Sequence, residues 1–225
     1  MPTKKVRTGI IGCGGISRFH IRNMFKDKKT EVVALCDPFQ DSVDKLALEF
    51  KASGRKVPPN ESDLQKFLKT FDLDAVLIAT PHAMHHDHTV AALESGLDVL
   101  LEKPMVISTQ EAHSLIKTRV RTGKTLVISF QGSLSPLIRL ASHGIKNNLY
   151  GELLSVSATV WQNWGPNVAN TWRQNPALSG GGFIFDTGAH MLNTVADLVN
   201  QDFTEVAAWM DQHNRPVETL SVAIA

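Results

Sequence analysis

Val6-Arg7-Thr8-Gly9-Ile10-Ile11-Gly12-Cys13-Gly14-Gly15-Ile16-Ser17, with Glu31-Val32-Val33-Ala34-Leu35-Cys36-Asp37 behind it, decides the fold of this 225-residue chain. The run Val6 to Ile11 is apolar enough for a buried parallel strand. A glycine turn follows at once. Ile16, Phe19, His20, Met24 and Phe25 then recur at helix-like spacing. Residues 31–37 read as a second strand, and its last residue, Asp37, stands twenty positions beyond Ser17. A dinucleotide-binding βαβ unit has this order. Gly12 permits the tight turn. Gly14 lets the backbone approach a pyrophosphate, whose charge suits the free N–H groups where Gly15 and Ile16 open the helix. Asp37 is placed to accept hydrogen bonds from the adenosine ribose hydroxyls. Ser17 takes the place of the usual third glycine, and its small side chain still permits close helix–strand packing. A Gly-x-Gly turn alone is weak evidence and fits many α/β proteins; strand, helix and distal acid together point to a cofactor.

Composition fits this reading. The apolar share of 43% is that of an ordinary globular protein, which argues against disorder. No apolar run reaches 18 residues, so no transmembrane span is expected. Met1 to Lys5 lead straight into a strand with no signal-peptide core. Cys13 and Cys36 are the only cysteines, at two strand ends. They read as free thiols of a reducing compartment, so a cytoplasmic location is expected. Net charge is +1, which predicts neither nucleic acid nor membrane as a partner. Residues 1–150 carry 21 basic and 15 acidic side chains, whereas residues 151–225 carry 2 and 7. The basic part suits an anionic cofactor, though a solvated surface explains it equally well.

Strands and helices keep alternating. Asp41 to Ala52 predicts a helix, residues 53–60 a loop, and Asn60 and Asp63 the cap and first-turn acid of a helix through Phe71. Ala75 to Ala79 is a strand stopped by Thr80-Pro81. Met84 to Ser95 is a helix closed by Gly96, and Asp98 to Leu101 is a strand. Thr109 to Thr122 is a helix ending at Gly123, and Thr125 to Phe130 is the last strand of the series. The fold expected for residues 1–130 is therefore α/β, a Rossmann doubly wound parallel sheet. Residues 131–225 read differently. A helix is expected over Ser135–Asn147, and a long antiparallel strand over Glu152–Trp164. A flexible turn at Gly180-Gly181-Gly182 and a helix over Asp186–Val199 follow. Strands over Phe203–His213 and Glu218–Ala225 come last. This predicts a second, α+β domain with an antiparallel sheet, and the chain stops inside a strand.

Four separated motifs carry a resemblance: Gly12 to Ser17; Thr80-Pro81-His82-Ala83-Met84-His85; Glu102-Lys103-Pro104; and, in the second domain, Thr171-Trp172-Arg173 with Ser179 to His190. Together they resemble the Gfo/Idh/MocA family of glucose–fructose oxidoreductase and inositol dehydrogenase. The resemblance covers nearly the whole chain. It implies an NAD(P)-dependent oxidoreductase acting on a sugar, cyclitol or related polyol, and a homo-oligomer formed through the second-domain sheet. Members of that family run longer, so the chain looks truncated.

The chemistry of the residues agrees. Hydride transfer from a secondary alcohol needs the carbinol against the nicotinamide and a base for the hydroxyl proton. Lys103, at a strand's carboxyl end, can donate to the alkoxide-like oxygen; otherwise it is a surface lysine paired with Glu102. Asp186 and His190, spaced i, i+4, share a helical face. The histidine then serves as base and the acid orients it or binds substrate; the bland alternative is a capping Asp and a packed His. With Lys103 they resemble the family's catalytic triad. Thr80, Pro81, His85 and Glu102 are expected to line the cofactor pocket, and Trp172, Arg173 and His190 the substrate. Trp161, Trp164 and Trp172 suit sugar stacking, with sheet packing an equal explanation of Trp161, and Gln131 suits a cofactor or substrate contact or a polar loop. His82, His85, His86 and His88 could suggest a metal, but only Asp87 is acidic nearby, and no metal is expected. Asp37 favours NAD over NADP, because a carboxylate repels a 2′-phosphate. Two other functions fit the same residues: an NAD-dependent glycosidase of the same superfamily, and a non-catalytic nucleotide-binding sensor.

Overall fold

The computed structural model describes residues 4–225. The chain forms two compact units, one ending at Ile128 and one spanning Ser129–Ala225.

The first unit is built on β1 (Val6–Ile11), α1 (Gly15–Met24), β2 (Thr30–Cys36), α2 (Gln40–Ala52), β3 (Asn60–Glu61), α3 (Leu64–Thr70), β4 (Ala75–Ile78), α4 (His85–Glu94), β5 (Asp98–Leu101), α5 (Thr109–Thr122) and β6 (Leu126–Ile128). The six strands are parallel, in the order β3-β2-β1-β4-β5-β6. The order reverses between β1 and β4, and the carboxyl ends beside that reversal form the usual ligand crevice of a doubly wound sheet. Successive strand residues point to opposite faces, and the core divides accordingly. Ile10, Leu35 and Leu77 pack with Ile21, Val43, Leu46 and Phe50 of α1 and α2. Their neighbours Ile11, Cys36 and Ile78 pack with Phe67, Leu93 and Leu115 of α3, α4 and α5. Burying near-continuous apolar strands on both faces is what makes the sheet parallel and covered by helices.

Two local readings change. Asp63, not Asn60, caps α3, accepting the N–H of Lys66 at 2.8 Å. Asn60 is freed for β3, where its side chain exchanges hydrogen bonds with the backbone of Asp37. A short 3₁₀ turn at His82–Met84 precedes α4.

The second unit contains α6 (Pro136–Lys146), α7 (Trp164–Asn167), α8 (Pro176–Ser179), α9 (Ala189–Val199), β7 (Ala207–Asp211) and β8 (Leu220–Ile224). β7 and β8 pair antiparallel, with Trp209 opposite Val222. The strand expected over Glu152–Trp164 is not formed: residues 151–163 pair with no strand, and Trp164 opens α7. Alternation creates a face, but a strand exists only where its backbone finds a partner, and among the described residues none is offered. The glycine turn also differs from a flexible one. Gly180 closes α8 in the left-handed conformation, and a π-helical turn, Ile184–Gly188, leads directly into α9.

Candidate active site

The glycine turn joins β1 to α1 beside the end of β4. Gly12 has φ +89°, and a Cβ there would stand 2.7 Å from the carbonyl oxygen of Ala79, so only glycine fits this approach. Ser17 is fully buried, and its hydroxyl donates to the Gly12 carbonyl at 2.5 Å. The residue in the third-glycine position thus ties the turn to its helix. α1 starts without a side-chain cap and without an acid in its first turn. No atom lies within 4 Å of where a Cβ on Gly14 would be. An open approach to uncapped helix N–H groups is a cradle for a phosphate anion.

Asp37 faces the same turn. Its Oδ2 accepts the backbone N–H of Cys13 at 2.7 Å, and its Oδ1 that of Phe39 at 2.8 Å. A carboxylate offers about four acceptor sites, so each oxygen keeps capacity for a ribose hydroxyl. Turn, helix terminus and acid together fit a dinucleotide.

A second cluster occupies the ends of β4 and β5. His85 has no exposed surface, and its ring spans two turns. Nδ1 lies 2.7 Å from the carbonyl oxygen of Pro104, and Nε2 lies 3.0 Å from that of Thr80. The ring thus ties the turn at Thr80 to the turn at Pro104. Burial holds His85 below the usual histidine range, against the two carbonyls and the charge of Glu102, which favour protonation. Burial lowers His88 likewise, with a further contribution from His85; its Nδ1 faces the Thr80 hydroxyl at 3.2 Å. His82 packs edge-on against His85. His86 meets Asp87 and Ser114. The described residues contain no group of three or more His, Cys, Asp or Glu able to hold a metal.

Glu102 is buried, and its Oε1 lies 2.6 Å from Nε2 of His20 on α1. Its Oε2 accepts the backbone N–H of Lys103 at 3.3 Å. The Lys103–Pro104 peptide is cis.

In the second unit, Asp186 sits buried inside the π turn. Its Oδ2 accepts from the Trp164 indole at 2.9 Å and from Nε of Arg173 at 3.0 Å. The Arg173 guanidinium also lies over the Trp172 ring, 4.3 Å from its centre. Asp186 is therefore not a helix cap. His190, at the start of α9, packs edge-on against Phe130. Gly182 is held by Glu218: its N–H donates to Oε2 at 2.7 Å, and a Cβ there would collide with the Glu218 carbonyl. Of the tryptophans read as stacking candidates, Trp164 is buried and Trp161 is 81% exposed. Gln131 donates to the Ser129 hydroxyl.

In the first unit Gly12, Gly14, Gly15, Ile16, Asp37, Thr80, Pro81, Glu102 and Lys103 thus follow the carboxyl ends of β1, β2, β4 and β5, with His85 against the carbonyls of Thr80 and Pro104. The second joins Asp186 to Arg173 and Arg173 to Trp172, and carries His190 four residues on. Sequence reasoning missed His20, Asn60 and Glu218. The partner of His20 lies 82 residues away and that of Glu218 lies 36 away, so no spacing signal could pair them.

The family model described as "Oxidoreductase family, NAD-binding Rossmann fold" matches residues 6–130, and the GFO/IDH/MocA C-terminal domain matches residues 138–225. D-glucoside 3-dehydrogenase of Escherichia coli K12 is 27% identical over 86% of the chain. Inositol 2-dehydrogenase of Serratia proteamaculans is 26% identical over 88% of it. The chain spans 54% and 56% of the lengths of these two relatives. Among solved structures, the WlbA dehydrogenase of Bordetella pertussis, in complex with NADH and UDP-GlcNAcA, shares the fold with a TM-score of 0.85 at 23% identity. The match covers 99% of this chain and 66% of that one.

Proposed function

The chain belongs to the Gfo/Idh/MocA oxidoreductase family, and from that premise we propose that it acts as a dehydrogenase that moves a hydride between a nicotinamide cofactor, NAD in preference to NADP, and a secondary hydroxyl of a sugar, cyclitol or related polyol. The observation that carries this reading is the common edge at which the glycine turn, Asp37 and Lys103 leave one six-stranded sheet beside its reversal of strand order. The family relatives named above act on a glucoside and an inositol, as their names state.

The cofactor supplies the hydride acceptor. The amides of Gly14, Gly15 and Ile16 receive its pyrophosphate, and the Asp37 carboxylate accepts from the adenosine ribose. That carboxylate is fixed by two backbone N–H groups, so it presents its charge without rearranging, and a 2′-phosphate there meets like charge. Thr80 and Pro81 line the same crevice, and Glu102 and His85 hold the turn that carries Lys103. The lysine donates a hydrogen bond to the substrate oxygen as negative charge develops on it. His190 takes the hydroxyl proton in oxidation and returns it in reduction. Asp186 orients the substrate or the histidine, and Trp172 and Arg173 bound the substrate side.

The test is a panel of inositols, sugars and glycosides with NAD and with NADP, followed by absorbance of the reduced cofactor, on the full chain of the protein. Reduction of NAD by a polyol is the expected outcome. Release of p-nitrophenol from aryl glycosides in its place would make the protein a glycosidase, and cofactor binding without turnover would make it a sensor.

A further inference from the structure

The proposed reaction needs Lys103 at one place while the cofactor sits on α1, and one side chain bridges those two elements. His20 projects from the second turn of α1, and its Nε2 lies 2.6 Å from Oε1 of Glu102. Both side chains are largely buried, 11% and 7% exposed, so solvent screens the pair little. An ionised carboxylate only accepts, so Nε2 carries the hydrogen and donates it. Hydrogen bonds to a charged partner are shorter and about twice as strong as neutral ones. The other carboxylate oxygen accepts the N–H of Lys103 at 3.3 Å, while the N–H of Glu102 itself donates to the Ile78 carbonyl of β4 at 2.9 Å. Glu102 is thus fixed at both ends, and the Lys103 amide is aimed by a carboxylate that His20 keeps from turning.

We propose that His20 is a positioning residue for Lys103, acting through the Glu102 carboxylate, and that it ties the helix facing the cofactor to the lysine meeting the substrate. The role rests on Lys103 acting as proposed above. His85 fixes the far end of the same turn through Pro104, so with His20 gone the Glu102 carboxylate loses its tie to α1 while the far end of the turn stays held.

The experiment compares His20→Ala, His20→Gln, Lys103→Ala and the double variant His20→Ala/Lys103→Ala in the full chain, with the polyol that gives turnover. Misplacing a reacting group by about 1 Å costs on the order of 10²-fold, so His20→Ala lowers kcat by about 10- to 100-fold. KM and the NAD dissociation constant stay within about threefold. His20→Gln, whose amide nitrogen takes the place of Nε2, recovers most of kcat. The double variant is no slower than Lys103→Ala, because two residues acting as a unit are not additive. Without substrate or cofactor, the Lys103 amide exchanges hydrogen faster in His20→Ala than in the unaltered protein. Unchanged kcat in His20→Ala, beside a large loss in Lys103→Ala, would overturn the inference and leave the lysine assignment standing. So would multiplicative losses in the double variant. Normal kcat in Lys103→Ala would overturn the lysine assignment and the inference with it. If His20→Ala does not fold, His20→Gln and Glu102→Gln carry the comparison, and a loss in His20→Gln equal to that of Lys103→Ala counts against the inference.

Discussion

Oδ2 of Asp37 accepts the backbone N–H of Cys13 at 2.7 Å, so the acid ending β2 is locked to the glycine turn ending β1. The carboxylate proposed to read the ribose therefore shapes the loop proposed to receive the pyrophosphate. One substitution there acts on both.

From this follows a cofactor preference. NAD should bind more tightly than NADP by about 1–3 kcal/mol, or roughly 5- to 150-fold. Asp37→Ser combined with Pro38→Arg narrows or reverses the ratio. It also weakens binding of both cofactors, because the Cys13 and Phe39 amides lose their acceptor. Calorimetric titration with each cofactor decides it; equal affinities in the unaltered protein would refute the role given to Asp37.

For the chemical step, Lys103→Ala and His190→Ala each lower kcat by about 10²–10⁴, with NAD affinity little changed. Asp186→Asn costs less, since the neutral amide keeps an oxygen for Trp164 and Arg173. Steady-state kinetics on the full chain provides the measurement. If the lysine and histidine variants keep normal kcat, both residues are structural.

Stability depends on pH through His85 and His88. Both are held below the ordinary value of 6.5. The unfolded chain therefore binds more protons than the folded one in this window, and stability rises with pH. The contribution is fully present above about pH 7 and is lost as pH falls below 6.5 towards the folded values. Urea unfolding at stepped pH from 8 to 5 should show the decline. His85→Gln, which cannot titrate, should flatten it; an unchanged slope in that variant would count against the assignment.

Both thiols should be inert in the folded protein. Burial, then the charge of Asp37, raises Cys13 far above its ordinary value and pushes Cys36 up to about 12. Only the thiolate reacts, so Ellman's reagent at pH 8 should find no thiol before denaturation and two after it. Rapid labelling of the native state would show that these strand ends open.

The second unit should associate. Trp161, Trp209, Val222 and Ile224 are exposed, and the two-stranded sheet has unpaired edges among the described residues. Light scattering should show mass rising with concentration. Trp209→Lys, on an exposed position of β7, should reduce the rise, whereas a monodisperse monomer at all concentrations would exclude this surface as an interface.

The first unit was legible residue by residue because its signals are local. An apolar run, a glycine turn and a helical period lie within about thirty residues, and one β–α unit after another repeats that grammar. Residues 151–163 show where local signals stop: alternation is present, but pairing is a property of two segments. The same holds at the site. Sequence by itself determined the parallel α/β sheet, the cofactor turn, and which residue types stand at the strand ends, because each is set by period and steric demand within a short stretch. Only tertiary structure decided that His20 holds Glu102, that His85 is buried between two turns, and that Asp186 takes Trp164 and Arg173 as partners. Such contacts join residues 5 to 82 positions apart, and the energy that selects them, burial of polar groups with their hydrogen bonds satisfied, exists only once the chain has folded.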